Sequence, residues 1–236
     1  MTPFYIVSVL FVVAGIVSAL YLSVKVFRNP PSMKIMQAVW ILTGLWAPVF
    51  SVIAYHKLAG RQPMRMDQPM SGMKMGGMNM SGMKMGSNRP FWQKVILSAL
   101  HCGAGCTLAD IIGEFSGFYL FGSLRWWGLY WQWGYDYLLA LVIGVFFQFV
   151  VIRKMSVLSA GGAIRRALKV DFLSLTAWQA GMYLFLSLFI FVYPRMRLFP
   201  DQVEFWFLMQ VAMAVGFLLA YPMNWILIKA KIKPAM

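Results

Sequence analysis

The sequence predicts an all-α, polytopic membrane protein with six transmembrane helices and a Met/Gly-rich flexible loop between the second and third. Hydrophobic residues make up 61% of the 236 residues and charged residues only 12%, which leaves too little polar surface to cover a soluble domain. Six stretches with few or no charges are each long enough to cross about 30 Å of hydrocarbon as a helix. They are too long and too continuous to be the strands of a membrane β-barrel.

The first two predicted spans lie within residues 1–57. The first, 4–21, has no positive residue before it and no small-residue cleavage site after it, so we expect a retained helix rather than a signal peptide. The second, 36–55, is an uncharged stretch between Lys34 and Lys57. A loop over 58–91 then connects these two helices to the rest of the chain.

The last four predicted spans form a core over residues 92–236. Asp110 and Glu114 interrupt the first of them, Asp136 is the one charge in the second, and the last two carry none. Charged side chains are costly inside hydrocarbon, so these three carboxylates require an explanation. The four spans are 95–124, 134–152, 172–194 and 205–228.

Lysine and arginine in the loops predict the orientation. The chain carries 21 Lys and Arg against 7 Asp and Glu, which fits basic loops at an anionic lipid bilayer better than a nucleic-acid partner. If both termini share a side with the second and fourth loops, that side holds 15 of these cations. Cytoplasmic loops carry the excess, so we expect a bacterial inner (plasma) membrane protein with both termini cytoplasmic. The six cations on the other side are Lys25, Arg28, Lys34, Arg125, Arg195 and Arg197.

Methionine is concentrated in the loop between the second and third spans. The stretch 64–85 reads MRMDQPMSGMKMGGMNMSGMKM and repeats the hexapeptide SGMKMG at 71–76 and 81–86. Its glycines oppose a regular helix, so we expect a flexible segment. Nine of the 19 methionines of the chain lie in it: Met64, Met66, Met70, Met73, Met75, Met78, Met80, Met83 and Met85.

A methionine in a solvated loop has no packing role, so the thioether itself needs an explanation. Thioethers are soft, uncharged ligands that select Cu(I) and, by extension, Ag(I). Methionines one or two residues apart on a flexible chain can bring two or three sulfurs to one ion. The loop therefore predicts a soft-metal site with Cu(I) as the expected ligand. The alternative is a low-complexity tether whose methionines bind nothing.

Polar residues recur at every fourth position of the third span, KVILSALHCGAGCTLADIIGEFSGFYL. At about 100° per residue, Cys102, Cys106, Asp110 and Glu114 form a slowly winding face, and His101 lies about 100° to its other side. The cysteine Cβ atoms would be about 5–6 Å apart, too far for an unstrained disulfide but suitable for two thiolates on one ion. We therefore expect a thiolate site of Cys102 and Cys106 with His101 or Asp110 as a further ligand.

The same polar face also has a purely structural explanation. Cysteine is a common small apolar residue in cores, and the neighbouring glycines permit close helix packing. Asp110 and Glu114 would then be hydrogen-bonding partners, or a relay for protons or cations. Asp136 and Asp171, near helix ends, are expected at the interface. Asn224 follows a proline that should kink the last span and adds a polar group inside the membrane.

Three segments of the core resemble a family of bacterial membrane proteins known as domain of unknown function 4396. They are HCGAGCTLAD in the third span, SLTAWQAGM in the fifth and LAYPMNWIL in the last. The likeness extends over about 92–229, and the first two spans are similar in hydrophobic pattern alone. The resemblance implies no activity or cofactor, and the methionine loop is not part of the common pattern. The residues at motif positions are His101, Cys102, Asp110, Tyr221, Pro222, Asn224 and Trp225.

The sequence thus predicts a non-enzymatic membrane protein that binds, and transports or otherwise handles, Cu(I) or Ag(I). The methionine loop would gather the ion or pass it to a copper-handling partner protein, and Cys102 and Cys106 would hold it among the helices. Two alternatives stay open: a non-catalytic assembly or scaffold protein, and a membrane thiol oxidoreductase. A single cysteine pair at i, i+4 argues against the oxidoreductase, and no phosphate-binding loop indicates an ATP-driven pump.

Overall fold

The computed structural model describes residues 2–31, 34–59, 89–119, 129–155, 159–193 and 199–233. Within these ranges the regular secondary structure is entirely helical, which confirms the all-α fold class. The methionine-rich stretch 64–85 lies outside the described residues, so its flexibility and its nine proposed ligands stay predictions.

Seven helices make up the described part of the chain. Five of them, α1, α4, α5, α6 and α7, are long and apolar enough to cross a membrane. Their outward faces carry exposed apolar side chains such as Leu10, Val142 and Leu218, as expected for a surface in contact with lipid. The helices are α1 (Pro3–Arg28), α2 (Ile35–Trp46), α3 (Pro48–Leu58), α4 (Phe91–Tyr119), α5 (Leu129–Met155), α6 (Ala160–Val192) and α7 (Val203–Lys229).

The predicted second span, 36–55, is two helices rather than one. α2 ends at Trp46 and α3 begins at Pro48, because proline lacks the N–H that a continuing helix needs but is well suited to the first position of a new one. The Leu45 carbonyl, in the last turn of α2, has no partner within the helix. It accepts a 2.6 Å hydrogen bond from Gln210 Nε2 of α7 instead. At 12 and 11 residues, neither helix is long enough to cross the bilayer alone.

The helix α3 turns back along α2 instead of continuing in its direction. His56 Nε2 lies 3.0 Å from the Tyr21 hydroxyl oxygen of α1, and the rings of Trp40 and Tyr55 meet edge to face at 5.5 Å. A straight continuation would carry His56 about 14 Å past the break, away from Trp40 and Tyr21. α2 and α3 therefore form a helical hairpin, and the described helices include five of membrane-crossing length rather than the predicted six.

The two ends of the described chain lie at opposite ends of the helix bundle. Phe4 at the start of α1 contacts Phe207 at the start of α7, with ring centroids 5.9 Å apart. From there α7 runs for 27 residues, about 40 Å, before the chain ends. The expectation that both termini lie on the same side of the membrane assumed six crossings. Because α2 and α3 form a hairpin, the predicted second span no longer counts as a crossing.

The central helix of the bundle is α4. In its most apolar stretch 78% of the residues are buried, compared with 22–39% in the other four long helices. It packs against α5 through glycines, because a Cβ atom on Gly105 would lie 3.1 Å from Gly144 Cα, and Gly113 lies against the Asp136 side chain. The equal spacing along both chains, eight residues in each, shows that α4 and α5 run antiparallel in register. Small residues here let the two backbones approach closely.

Trp178 fixes α6 between α4 and α7. Its indole is fully buried, with the benzene end over Gly103 of α4 and the pyrrole end over Gly216 of α7. A Cβ atom on Gly181 would lie 2.9 Å from Gly216 Cα, so α6 and α7 also approach through glycine. Trp46, at the tip of the hairpin, meets Trp178 edge to face at 5.6 Å and joins the hairpin to the core.

Gly144→Ala should destabilise the bundle. A Cβ atom at this position would lie 2.5 Å from Asp171 Oδ2 and 2.9 Å from Leu175 Cδ1, and such overpacking costs about 1–3 kcal/mol. The matched control is Gly134→Ala on the same helix, where a Cβ atom meets nothing within 4 Å. Thermal unfolding in detergent should give a lower midpoint for Gly144→Ala alone; equal midpoints would contradict the packing described here.

Candidate functional site

Cys102 and Cys106 lie on adjacent turns of α4, inside the bundle. Both are free thiols, and their exposed fractions are 1% and 0%. The two side chains contact each other. The i, i+4 spacing thus places two sulfurs side by side in the most buried helix of the protein.

A carboxylate of α6 faces this cysteine pair. Asp171 lies beside Cys102 and, eight residues further along both helices, Gln179 lies beside Asp110. The equal spacing shows that α4 and α6 run parallel with matched turns. Asp171 was expected at the membrane interface, and this expectation was wrong, since the residue is 1% exposed. The reason is that α6 begins at Ala160, so Asp171 is well inside the helix.

Asp171 belongs to a buried polar network that includes a lysine from the end of the chain. Lys233 Nζ lies 3.9 Å from Asp171 Oδ1 and donates hydrogen bonds to Asn224 Oδ1 at 2.8 Å and Ser174 Oγ at 3.2 Å. The hydroxyls of Ser174 and Ser98 donate to the same Asn224 oxygen at 3.0 and 3.3 Å. These five residues, the lysine network, join α4, α6, α7 and the C-terminal segment.

Lys233 reaches this network because the chain reverses direction after α7. Lys231 adopts a left-handed φ of 58°, and the amides of Ile232 and Lys233 both donate to the Leu227 carbonyl. This helix-ending turn directs the lysine inward, where it is only 2% exposed. The sequence analysis counted Lys233 among the loop cations, because a lysine beyond the end of an apolar helix carries no local signal of burial.

Asn224, expected to be an intramembrane polar residue, is the centre of the lysine network. Its Oδ1 accepts from three donors, and its Nδ2 donates to the Ala220 carbonyl at 2.8 Å. The other motif residues around it pack rather than bind: Trp225 meets Phe91 edge to face at 4.7 Å and Tyr221 at 6.1 Å.

His101 lies at the interface of α4 with α5. Its ring contacts Phe147 at 5.9 Å, and the register set by Gly105 and Gly144 places Gln148 opposite it. Among the described residues, neither Gln148 amide atom has a hydrogen-bond partner and His101 has none beyond the Phe147 backbone, although both side chains are at most 1% exposed. Buried polar groups in this situation commonly bind water or an ion.

A second polar group lies further along α4, where Asp110 and Asp136 are each 3% exposed. Asp136 was expected at the interface, but the absence of a side chain at Gly113 makes room for it inside the bundle. Gln132 Nε2 donates to both Asp136 oxygens at 3.0 and 3.3 Å. Glu114 lies beside Asp136, so two carboxyl groups meet at this point of the α4–α5 interface.

These groups do not assemble into a metal site of three or more protein ligands. Among the described residues, no three His, Cys, Asp or Glu side chains are grouped so that they could hold a metal ion. His101 and Asp110, predicted as further ligands, therefore do not complete such a group with Cys102 and Cys106. The arrangement instead provides two sulfurs with one carboxylate nearby. This suits a soft ion of low coordination number better than zinc, which takes four ligands.

The family model described as "Domain of unknown function (DUF4396)" matches residues 91–233, which confirms the resemblance drawn from the motifs. These limits coincide with the first residue of α4 and with Lys233, so the match contains α4–α7, both cysteines and the whole lysine network. The searches of curated proteins and of solved structures found no match to this chain.

Both cysteines should resist alkylation in the folded protein, because their thiols are almost completely buried. We expect no labelling by a maleimide in mild detergent and labelling at two sites after denaturation, counted by mass spectrometry. Lys229→Cys, at an exposed position in the last turn of α7, is the control and should label at once. Rapid labelling of Cys102 or Cys106 in the folded protein would contradict their placement.

Proposed function

Because the chain belongs to the DUF4396 family, whose description assigns no activity, we propose a function from the chemistry of its own side chains. It binds a soft monovalent metal ion, Cu(I) or Ag(I), between its membrane helices and moves it or hands it on. The ion is cargo rather than a resident cofactor. The observation that supports this most directly is the pair of free, buried thiols on α4 beside a buried carboxylate.

Ligand softness and number favour a monovalent soft ion at this pair. An uncompensated thiolate is costly in a dry interior, so loss of the thiol protons is coupled to binding of the cation. Binding through both sulfurs releases two protons and leaves one net negative charge on the ion–dithiolate unit. The Lys233 ammonium balances that charge if the neighbouring Asp171 carboxylate takes up one of the released protons. A divalent ion would be neutralised by the two thiolates alone, so the preference for a monovalent ion rests on ligand softness and number rather than on charge.

The chain order offers a path from the methionine loop to the cysteines. The loop connects the end of α3 at Leu58 to the start of α4 at Phe91. Cys102 is eleven residues into α4, about 16 Å along the helix axis. In the proposed path, thioethers of the loop collect the ion, directly or from a copper-handling partner protein, and the buried thiolates take it over because they bind more strongly.

The hairpin also supports a revised orientation in the plasma membrane. If α2 and α3 return to the end at which α2 began, the connection 29–34 shares a side with the methionine loop and the C-terminus. That side then holds 18 of the 21 cations, a wider margin than six crossings give. By the positive-inside rule, the methionine loop and the C-terminus are cytoplasmic, and the N-terminus is outside. The cations left outside are Arg125, Arg195 and Arg197.

This topology predicts that Thr2→Cys is labelled by a membrane-impermeant maleimide applied to intact cells, whereas Asn29→Cys is labelled only after lysis. The buried native cysteines do not interfere. A reporter fused after Lys233 serves as the cytoplasmic control. Six crossings with cytoplasmic termini predict the reverse pattern for the two variants, so that result would refute the re-entrant hairpin.

The metal proposal predicts that the Cys102→Ser/Cys106→Ser double variant loses high-affinity Cu(I). Competition with a chromogenic chelator under reducing conditions should show at least about a tenfold loss of affinity, or 1.4 kcal/mol, at the intramembrane site. Thr107→Val, on the same buried helix, is the matched control and should bind normally. Deletion of 64–85 should leave the thiolate site intact and remove a separate, weaker class of bound ion.

The same experiment separates the rival functions. Unchanged Cu(I) binding in the double cysteine variant would refute the thiolate site. A protein that binds no metal but cycles Cys102 and Cys106 between thiol and disulfide would be a thiol oxidoreductase. A protein that does neither would favour an assembly or scaffold role for the polar face of α4.

A further inference from the structure

We propose that the oxygens of the lysine network form a binding site for a monovalent alkali cation, Na⁺ or K⁺, and that Lys233 occupies this site as a tethered ammonium. The site oxygens come from Ser98, Asp171, Ser174 and Asn224, on three different helices. This site shares Asp171 and Lys233 with the surroundings of the sulfur pair, but its ligands are oxygens and its test does not depend on the soft-metal proposal.

The ligand set is that of a hard cation. Carboxylate, amide and hydroxyl oxygens suit alkali and alkaline-earth ions, whereas sulfur suits soft ones. The four residues are at most 1% exposed, so a cation among them is shielded from water. A lysine ammonium is a compact point charge with three donors, and it can take the position of an alkali ion among oxygens without a change in net charge.

The buried Asp171 carboxylate makes fewer close polar contacts than such a group normally does. Its nearer oxygen is 3.9 Å from Lys233 Nζ, which is too long for a hydrogen bond. Its described neighbours are the Lys233 ammonium and the Cys102 thiol, and neither of its oxygens makes a hydrogen bond to a nitrogen or oxygen donor among the described residues. A buried carboxylate normally has several close partners, so a carboxylate with only a distant ammonium and a weakly donating thiol beside it is the second observation that points to a bound ion.

Lys233 is placed so that it can leave. It is carried by the turn after α7 rather than by a helix, and among the described residues the backbone hydrogen bonds of this turn run to Ile226, Leu227 and Ile228 at the end of α7. Withdrawal of the C-terminal segment would remove one positive charge from the core, and an alkali cation would restore it. The segment and a diffusible cation therefore compete for one buried site.

The test is the salt dependence of stability in copper-free detergent solution, with NaCl, KCl or choline chloride at equal ionic strength. Wild-type protein should unfold at the same temperature in all three salts. Lys233→Met should unfold at a lower temperature in choline, and Na⁺ or K⁺ should raise its midpoint in a saturable way, as expected for a ligand of the folded state. Lys229→Met, which removes an exposed lysine, should behave like wild type.

A double variant makes the outcome decisive. Asp171→Asn/Lys233→Met has no unpaired charge, so it should be more stable than Lys233→Met in choline and show no response specific to Na⁺ or K⁺. A Lys233→Met midpoint that is the same in all three salts would overturn the cation site. So would a Lys233→Met protein that folds in none of the salts while the double variant folds. Because copper is absent, either result leaves the thiolate proposal untouched.

Discussion

The cost of placing ionisable side chains inside an apolar bundle is the constraint on which the rest of this structure depends. Asp171 would be strongly destabilising alone, but Lys233 comes in from beyond α7 and places its ammonium nearby. Asn224 and Ser174 accept hydrogen bonds from that ammonium, and Ser98 donates to the same Asn224 oxygen, so the network brings three helices together. The end of the described chain is thus fixed by electrostatics rather than by apolar packing.

The central helix α4 meets this constraint with two faces about 60° apart. Its glycine face, with Gly105 and Gly113, packs closely on α5, so the helix is buried without bulky side chains. Its polar face, with Cys102 and Asp110, meets a matching ladder of Asp171 and Gln179 on α6. The chemistry of the proposed metal and cation sites is therefore concentrated where α4, α6 and α7 meet.

The hairpin of α2 and α3 connects fold and orientation. Pro48 ends one helix and starts another, and Trp46 at the break contacts the core tryptophan Trp178. Gln210 of α7 satisfies the carbonyl that the break leaves free. Irregular backbone at membrane depth is tolerated where protein covers it in this way. In the proposed orientation, the return of the hairpin toward its starting end also places Lys25, Arg28 and Lys34 on the side that holds most of the other cations.

The sequence by itself determined the membrane class, the helical fold, the family and the i, i+4 ladder of Cys102 and Asp110, because all of these depend on composition and local periodicity. Only the tertiary structure decided the rest. Local hydropathy could not separate a hairpin from a straight span, since both are apolar and the reversal depends on contacts such as Tyr21 with His56. Local hydropathy also could not show that Asp171 is buried with Lys233. These two residues are 62 positions apart and become partners only when α6 and α7 pack. Their pairing lowers the free-energy cost of burying either charge.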